Sequence, residues 1–225
     1  HGVIKTSRFF KERTGSETAD ITAEGWFFIE EQFLAEATNG KIFRDNNGEL
    51  TNLREKIAYL PEDIRLKKLA GNILLMAQSG QYNYPRLLRR GETAAAQLAV
   101  GEFVNAALKA IFLLNKKYLP YYKWTFRALR DLEILSDLHG ELEYLISSPN
   151  TQTEALEDVP DKYAGRTEAE KKHQLIEKIS ACIIEELKKD GLTKLNSPDL
   201  ERHAYSVNDK IKDGEIRNLN ILYAV

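Results

Sequence analysis

Apolar residues recur at three- and four-residue steps along most of this chain, the period of an α-helix with one face turned to a core. From about Ala23 to Thr38 the apolar set is Trp26, Phe27, Ile29, Phe33, Leu34 and Ala37. Asn39-Gly40 ends that stretch, because both residues tolerate left-handed backbone. Pro61 suits the first position of a helix, with Glu62 and Asp63 favourably placed in its first turn and Ile64, Leu69, Ile73, Leu74 and Ala77 along one face to Gly80. Glu92 to Tyr118 is apolar on most sides and is closed by Pro120. Tyr122 to Ile146 carries Ala128, Leu132, Leu135, Leu138, Leu142 and Leu145 as one stripe. Thr167 to Asp190 is a charged helix with Ile176, Ile179, Ile183 and Leu187 on one side, and Gly191 ends it.

Shorter pieces complete the walk. Ser7–Arg13 and Thr51–Tyr59 predict brief helices, Pro198 opens one through Lys212, and Gly214 to Val225 is a final apolar segment. Residues 2–4 suit the end of a strand, and Lys41 to Glu49, with turn residues at its tip, suits a small hairpin. The predicted fold class is therefore all-α: a bundle of about six to eight helices, with a short N-terminal strand and a hairpin near 41–50 as its only β candidates. Residues 147–165, rich in Ser, Pro, Asn, Thr and Asp, predict a flexible connector.

Composition narrows the function classes. At 225 residues the chain can bury roughly 70% of its unfolded surface without staples. Thirty-two basic against thirty-four acidic residues leave a net charge of -2, which argues against a nucleic-acid binder that works by phosphate neutralisation. Cys182 is the lone cysteine, and His1, His139, His173 and His203 are scattered without His-x3-His or His-Glu-x-x-His spacing, so no metal site is predicted. No run of 18 uninterrupted apolar residues predicts a membrane span, and no signal-peptide pattern is present, so a cytoplasmic protein is expected. Gly-x-Gly-x-x-Gly, Gly-x4-Gly-Lys and Gly-x-Ser-x-Gly are all absent.

Four places could carry chemistry. On the long helix from Glu92, a step of 100° per residue puts Glu102, Asn105, Lys109 and Lys116 on one polar stripe. That stripe is either a solvated edge held by Glu–Lys pairing or a cleft wall with Glu102 as its carboxylate. Asn115 projects instead among Val104, Leu108 and Ile111, where an unpaired amide would cost about 1–3 kcal/mol, so a bond to nearby backbone is expected. The corner Tyr118-Leu119-Pro120-Tyr121-Tyr122-Lys123-Trp124 either stacks a ligand or fills a helix junction. The run Gln78-Ser79-Gly80-Gln81-Tyr82-Asn83 with Arg86, Arg89 and Arg90 is rich in amides where core filling does not ask for them, and arginine forks suit carboxylates and phosphates. Arg166 and His173 match a spacing seen in some helical ribonucleases, yet they flank a charged helix start where solvated side chains are the rule; His203 is expected to be a packed or capping residue.

Taken together, Leu34-Ala35-Glu36-Ala37-Thr38-Asn39-Gly40 with Ile42–Asp45, Tyr59–Arg65, Met76–Asn83 and Leu114–Trp124 resemble an uncharacterised bacterial domain. It is the helical domain of unknown function that follows a nucleotidyltransferase domain of the DNA polymerase beta superfamily. The resemblance spans about residues 1–145 and continues more loosely through Glu201-Arg202-His203. It implies an upstream catalytic domain as partner, with its own Gly-Ser motif and paired aspartates, and magnesium with a nucleoside triphosphate as cofactors of the whole protein; none of these motifs is in this chain. It also implies that residues 1–22 are the last strand and linker of that domain and that residues 23–225 are the helical domain; the competing reading of His1-Gly2-Val3-Ile4 is an expression remnant.

By analogy, such a domain shapes an acceptor pocket. Glu102 is then the expected base, and Gln78, Gln81, Tyr82, Asn83, Arg86, Arg90, Asn105, Lys116, Tyr121, Tyr122, Lys123 and Trp124 are the expected binding residues for a small-molecule or nucleotide ligand. Alone, the chain is expected to be inactive. The competing reading is a non-enzymatic helical interaction module.

Overall fold

The computed structural model describes residues 2–150, 168–223 and 225. Among these there is no strand. The chain runs α1 (Thr6–Thr14), α2 (Ala23–Phe28), α3 (Glu31–Thr38), α4 (Glu49–Lys56) and α5 (Glu62–Met76), then a π-helical segment (Ala77–Asn83) and α6 (Tyr84–Arg89). There follow α7 (Thr93–Leu114), α8 (Tyr122–Leu129), a 3-10 turn (Ser136–Leu138), α9 (His139–Ser147), α10 (Glu168–Lys189), α11 (Leu200–Asn208) and α12 (Gly214–Asn218). The fold is all-α, with more and shorter helices than expected.

The excess comes from breaks that periodicity does not show. The stretch 23–38 divides at Ile29-Glu30, both extended, into α2 and α3. The stripe from Tyr122 to Ile146 divides too: Leu135 takes φ 61°, and α8 and α9 are separate helices bridged by the 3-10 turn. Residues 2–4 are exposed and not part of a strand. The expected hairpin at 41–50 is instead a turn fastened by Asp45, whose carboxylate accepts from the Thr51 backbone N–H and hydroxyl, both at 2.8 Å. Within residues 1–22, α1 is more than a linker, since Phe10 is fully buried and α1 packs on α3. Of the connector, residues 151–165 lie outside the described residues, as does Arg166; within it, Asn150 is buried and accepts from Tyr84 Oη at 3.0 Å.

Two helices make the centre. α7 is the helix apolar nearly all round, with Phe103, Val104, Ala107, Leu108, Ile111 and Leu114 all buried. Its length and composition would suffice to cross a membrane, but two thirds of its most apolar window (67%) is buried in the protein, as in a core helix. α7 ends in a Schellman motif: Lys117 N donates to Phe112 O, Lys116 N to Leu113 O, and Lys116 itself is left-handed at φ 51°. α5 crosses α7 and packs on its other side against α11. Ile176, Ile179, Ile183 and Leu187 of α10 are fully buried and close the bundle.

α5 departs from its pattern in one respect. Arg65, Lys67 and Lys68 are buried along with its leucines, and buried cations need partners. Lys67 Nζ donates to Asn208 Oδ1 at 2.9 Å, Arg217 O at 3.1 Å and Leu219 O at 2.6 Å, tying the C-terminal segment to the core. Arg65 is bidentate to Glu62 and also donates to Leu113 O at the end of α7.

Gly80 does not terminate a helix. It sits in the π-helical segment, where a Cβ would lie 2.4 Å from the Phe103 ring and 2.9 Å from Ile176 Cγ2. The extra residue per turn presses this backbone onto α7 and α10, and glycine is what lets it approach. The chain then enters α6 with Pro85 in the first turn, where its missing N–H is not needed.

Candidate ligand cleft

A cleft of about 640 Å³ opens between the α2–α3 joint, the middle of α5 and α7, the start of α8 and the C-terminal tail. Its position follows from the breaks just described. Because the backbone is extended at Ile29-Glu30, Phe28 and Glu31 turn to the same opening, and because α7 stops at Leu114, Leu119 and Pro120 form the opposite lip. Phe27, Leu108, Leu119 and Phe126 give it apolar walls, while Lys68, Asn72, Asn105 and Lys109 bring polar groups from the two central helices. An apolar cavity with a few convergent polar groups is the usual form of a small-molecule site.

Glu31 and Lys68 carry hydrogen bonds but, among the described residues, no ion pair. Glu31 Oε2 accepts from Leu119 N at 3.1 Å. Burial raises its pKa above the ordinary 4.5, an effect opposed by that N–H and by the charges of Lys68 and Lys109. Lys68 is 7% exposed and its Nζ makes only a long 3.4 Å bond to Phe27 O. Burial lowers its pKa, while Glu31 pulls it back up. The salt bridges among the described residues include neither lysine nor Glu31.

Asn72, 2% exposed, donates from Nδ2 to Lys68 O at 2.8 Å. That bond fixes which way the amide lies, since only the nitrogen can donate to a carbonyl. Asn72 Oδ1 is then a buried acceptor with no partner. Such orphans are uncommon in folded proteins and call for an explanation.

The residues expected from sequence fall into three places. Asn105 and Tyr122 line the cleft, together with Lys109 of the same stripe. Glu102 lies one turn before Asn105, exposed and outside the lining; the carboxylates of this cleft are Glu30 and Glu31. Lys116 is not on the stripe at all, because the Schellman turn carries it past the helix end. Around the mouth, Tyr121 and Tyr122 pack ring to ring at 4.4 Å, Lys123 Nζ lies 5.8 Å from the Tyr121 ring, and Trp124 is exposed.

Gln78, Gln81 and Tyr82 line a second cavity, of about 670 Å³, with Glu177, Asp199 and Glu201. Gln81 is already committed there: Nε2 donates to Glu177 and Pro198 O, and Oε1 accepts from Leu200 N at 2.9 Å. Arg86 stacks on the Tyr82 ring at 4.3 Å, and Asn83 and Arg90 are exposed outside both linings. Of these expected binding residues, Arg86 thus lies by Tyr82 and Lys123 by Tyr121, apart from one another. Asn115 bonds backbone as expected, donating to Ile111 O and Ile134 O and accepting from Ile134 N, each at 2.9 Å. His203 is fully buried between Thr193 Oγ1 and Ser197 O. His173 Nδ1 is buried without a partner among the described residues.

Glu31, Lys68 and Asn72 are the cleft residues that sequence reasoning missed. A signal for two of them existed. Lys68 and Asn72 are one turn apart on α5, on the same face as the cleft-side residues, but Lys67-Lys68 reads as a solvated pair until the partners of α5 are known.

Fold and site together define an all-α domain built around a polar-floored cleft. Residues 26–125 match a family model described as Domain of unknown function (DUF4037). Comparison with curated proteins and with solved structures gives no match. The cleft falls almost wholly within the matched segment: of its lining, Phe126, Tyr223 and Val225 alone lie outside.

Proposed function

We propose that this domain is the acceptor-side half of a nucleotidyltransferase-like protein, with the cleft as the acceptor pocket and no transfer activity in this chain by itself. The observation that carries the reading is the coincidence of the cleft with the family-matched segment, floored by Lys68 and Glu31, which form no ion pair among the described residues, and by the unpartnered Oδ1 of Asn72. Such a floor suits binding and orienting a polar small molecule. The resemblance described above supports the transferase half of the reading: in proteins of that kind the upstream domain holds magnesium and the nucleoside triphosphate. Burial of Glu31 raises its proton affinity toward the range useful to a general base, which makes it a stronger candidate than exposed Glu102 for taking a proton from an acceptor hydroxyl.

The test is the natural coding sequence ahead of His1, followed by transfer assays on the whole protein. A polymerase-beta-type domain upstream, with magnesium-dependent nucleotide transfer lost in Glu31→Gln and kept in Glu102→Gln, is the expected result. A native start near residue 1, or a two-domain protein that releases no pyrophosphate with any acceptor, overturns the reading.

A second reading has its own observation. Phe28 and Tyr122 of the cleft lining are 64% and 70% exposed, Trp124 on the same helix as Tyr122 is 56% exposed, and aromatic residues are enriched in protein interfaces. An interaction module would bind a partner there irrespective of magnesium or nucleotide.

A further inference from the structure

We propose that the cleft takes a small molecule with an anionic end, bound by Lys68 and Lys109, and a hydroxyl or amine hydrogen that bonds Asn72 Oδ1. This deepens the acceptor-pocket reading and rests on the cleft being its ligand site.

The charge count gives the anion. Within the cleft two lysines face Glu31, and Glu30 lies exposed at the rim, so the interior carries one cation in excess. Lys68 is largely out of water and, among the described residues, has no carboxylate within 4 Å, where an incoming anion gains more than it would at a solvated lysine. The orphan gives the donor. Asn72 Oδ1 is held in place by the Nδ2 bond to Lys68 O and can only accept, so the group that completes it must carry an N–H or O–H. The walls of Phe27, Leu108 and Phe126 allow an apolar body between the two ends. A purely apolar ligand would leave Asn72 and Lys68 unsatisfied, and a simple anion would leave Asn72 so.

Asn72→Leu separates this proposal from a structural role. Removing an unpartnered buried acceptor and filling its volume with a side chain of similar size should raise the melting temperature of the free protein, because nothing in the ligand-free state needs that oxygen. The same change should weaken ligand binding about tenfold or more. A gain in stability with a loss in binding is the mark of a site built for a ligand.

The experiment is calorimetric titration of the 225-residue chain with glycerol 3-phosphate, phosphoserine and glycerate, with glycerol as the uncharged control. At least one anionic probe should bind and glycerol should not; the phosphate and carboxylate arms identify the anion. Lys68→Met and Lys109→Gln should each weaken binding severalfold or more, and Lys188→Met, on α10 and outside the lining, should leave it unchanged. Lys109 is only half buried, so its variant keeps the test informative if Lys68→Met misfolds. Failure of all three anionic probes at millimolar concentration, equal binding of glycerol, or a melting temperature that falls in Asn72→Leu with binding intact overturns the proposal. No nucleotide or second domain enters this experiment, so its failure removes the ligand class and leaves the transferase reading to its own test.

Discussion

Replacing Gly80 by alanine reverses the usual sign of a helix glycine substitution. In an unobstructed helix interior Gly→Ala stabilises by about 0.8–1 kcal/mol, from propensity and from the reduced freedom of the unfolded chain. At Gly80 the new Cβ would fall 2.4 Å from Phe103 Cδ2, 2.9 Å from Phe103 Cε2 and 2.9 Å from Ile176 Cγ2. Phe103 and Ile176 are both at 0% exposure, on two different helices, so neither can swing into solvent. The π-helical segment must then move away from α7 and α10, and overpacking of this kind costs about 1–3 kcal/mol, occasionally more. Set against the propensity gain, this leaves a net loss of about 0–2 kcal/mol, and the 2.4 Å approach to a fixed ring puts the expectation at the upper end, roughly a thirtyfold change in the folding equilibrium.

The comparison variant is Gly140→Ala on α9, where nothing lies within 4 Å of the new Cβ. It should be neutral or stabilising by about half a kcal/mol. Urea unfolding followed by circular dichroism measures both. The reasoning is refuted if Gly80→Ala is as stable as the parent, or if the two variants shift the midpoint in the same direction.

Other outcomes follow from the same contacts. Asn115→Leu leaves Ile134 N–H and O without their side-chain partner and should cost about 1–3 kcal/mol by chemical denaturation; an unchanged midpoint would mean that water replaces the amide. Lys67→Met removes the bonds to Asn208, Arg217 and Leu219, so amide exchange in 214–223 should quicken by tenfold or more while that of α7 changes less; uniform quickening would show the tie to be global. For Glu31, whose folded pKa is raised above 4.5 chiefly by burial, the native state holds the proton more tightly than the unfolded one. Stability therefore falls as pH rises from 4.5 to the raised value and then levels off. Glu31→Gln should lose that fall, so a difference between parent and variant that does not change over this window contradicts the assignment.

The helical class could be read from the chain because it depends on local spacing. The stripe Ile176, Ile179, Ile183, Leu187 is buried as its period implies, α3 stops at Asn39-Gly40 as those residues allow, and α7 is central because hardly any of its faces is polar. Asn115 could also be read, since an amide among apolar neighbours must find a backbone partner close by. The breaks inside 23–38 and 122–146 could not. Neither break has a glycine or proline at Ile29 or Leu135; beside them, Glu31 accepts from Leu119 N and Ile134 is bonded by Asn115, ties to residues distant in sequence that no period records.

The cleft shows the division most clearly. Its aromatic lip, Leu119 to Tyr122, and the polar positions Asn105 and Lys109 stand out in the sequence. Glu31, Lys68 and Asn72 do not, because a charged residue on a helix is ordinarily solvated and its burial depends on what covers it. Hydrophobic period acts between neighbours three and four residues apart, so the chain alone specifies which segments are helices and which of their faces are apolar. Whether a lysine beside that face meets water, Asn208 or a cleft is decided when α5, α7 and the C-terminal segment close around it, for only then is its charge desolvated and its neighbours chosen.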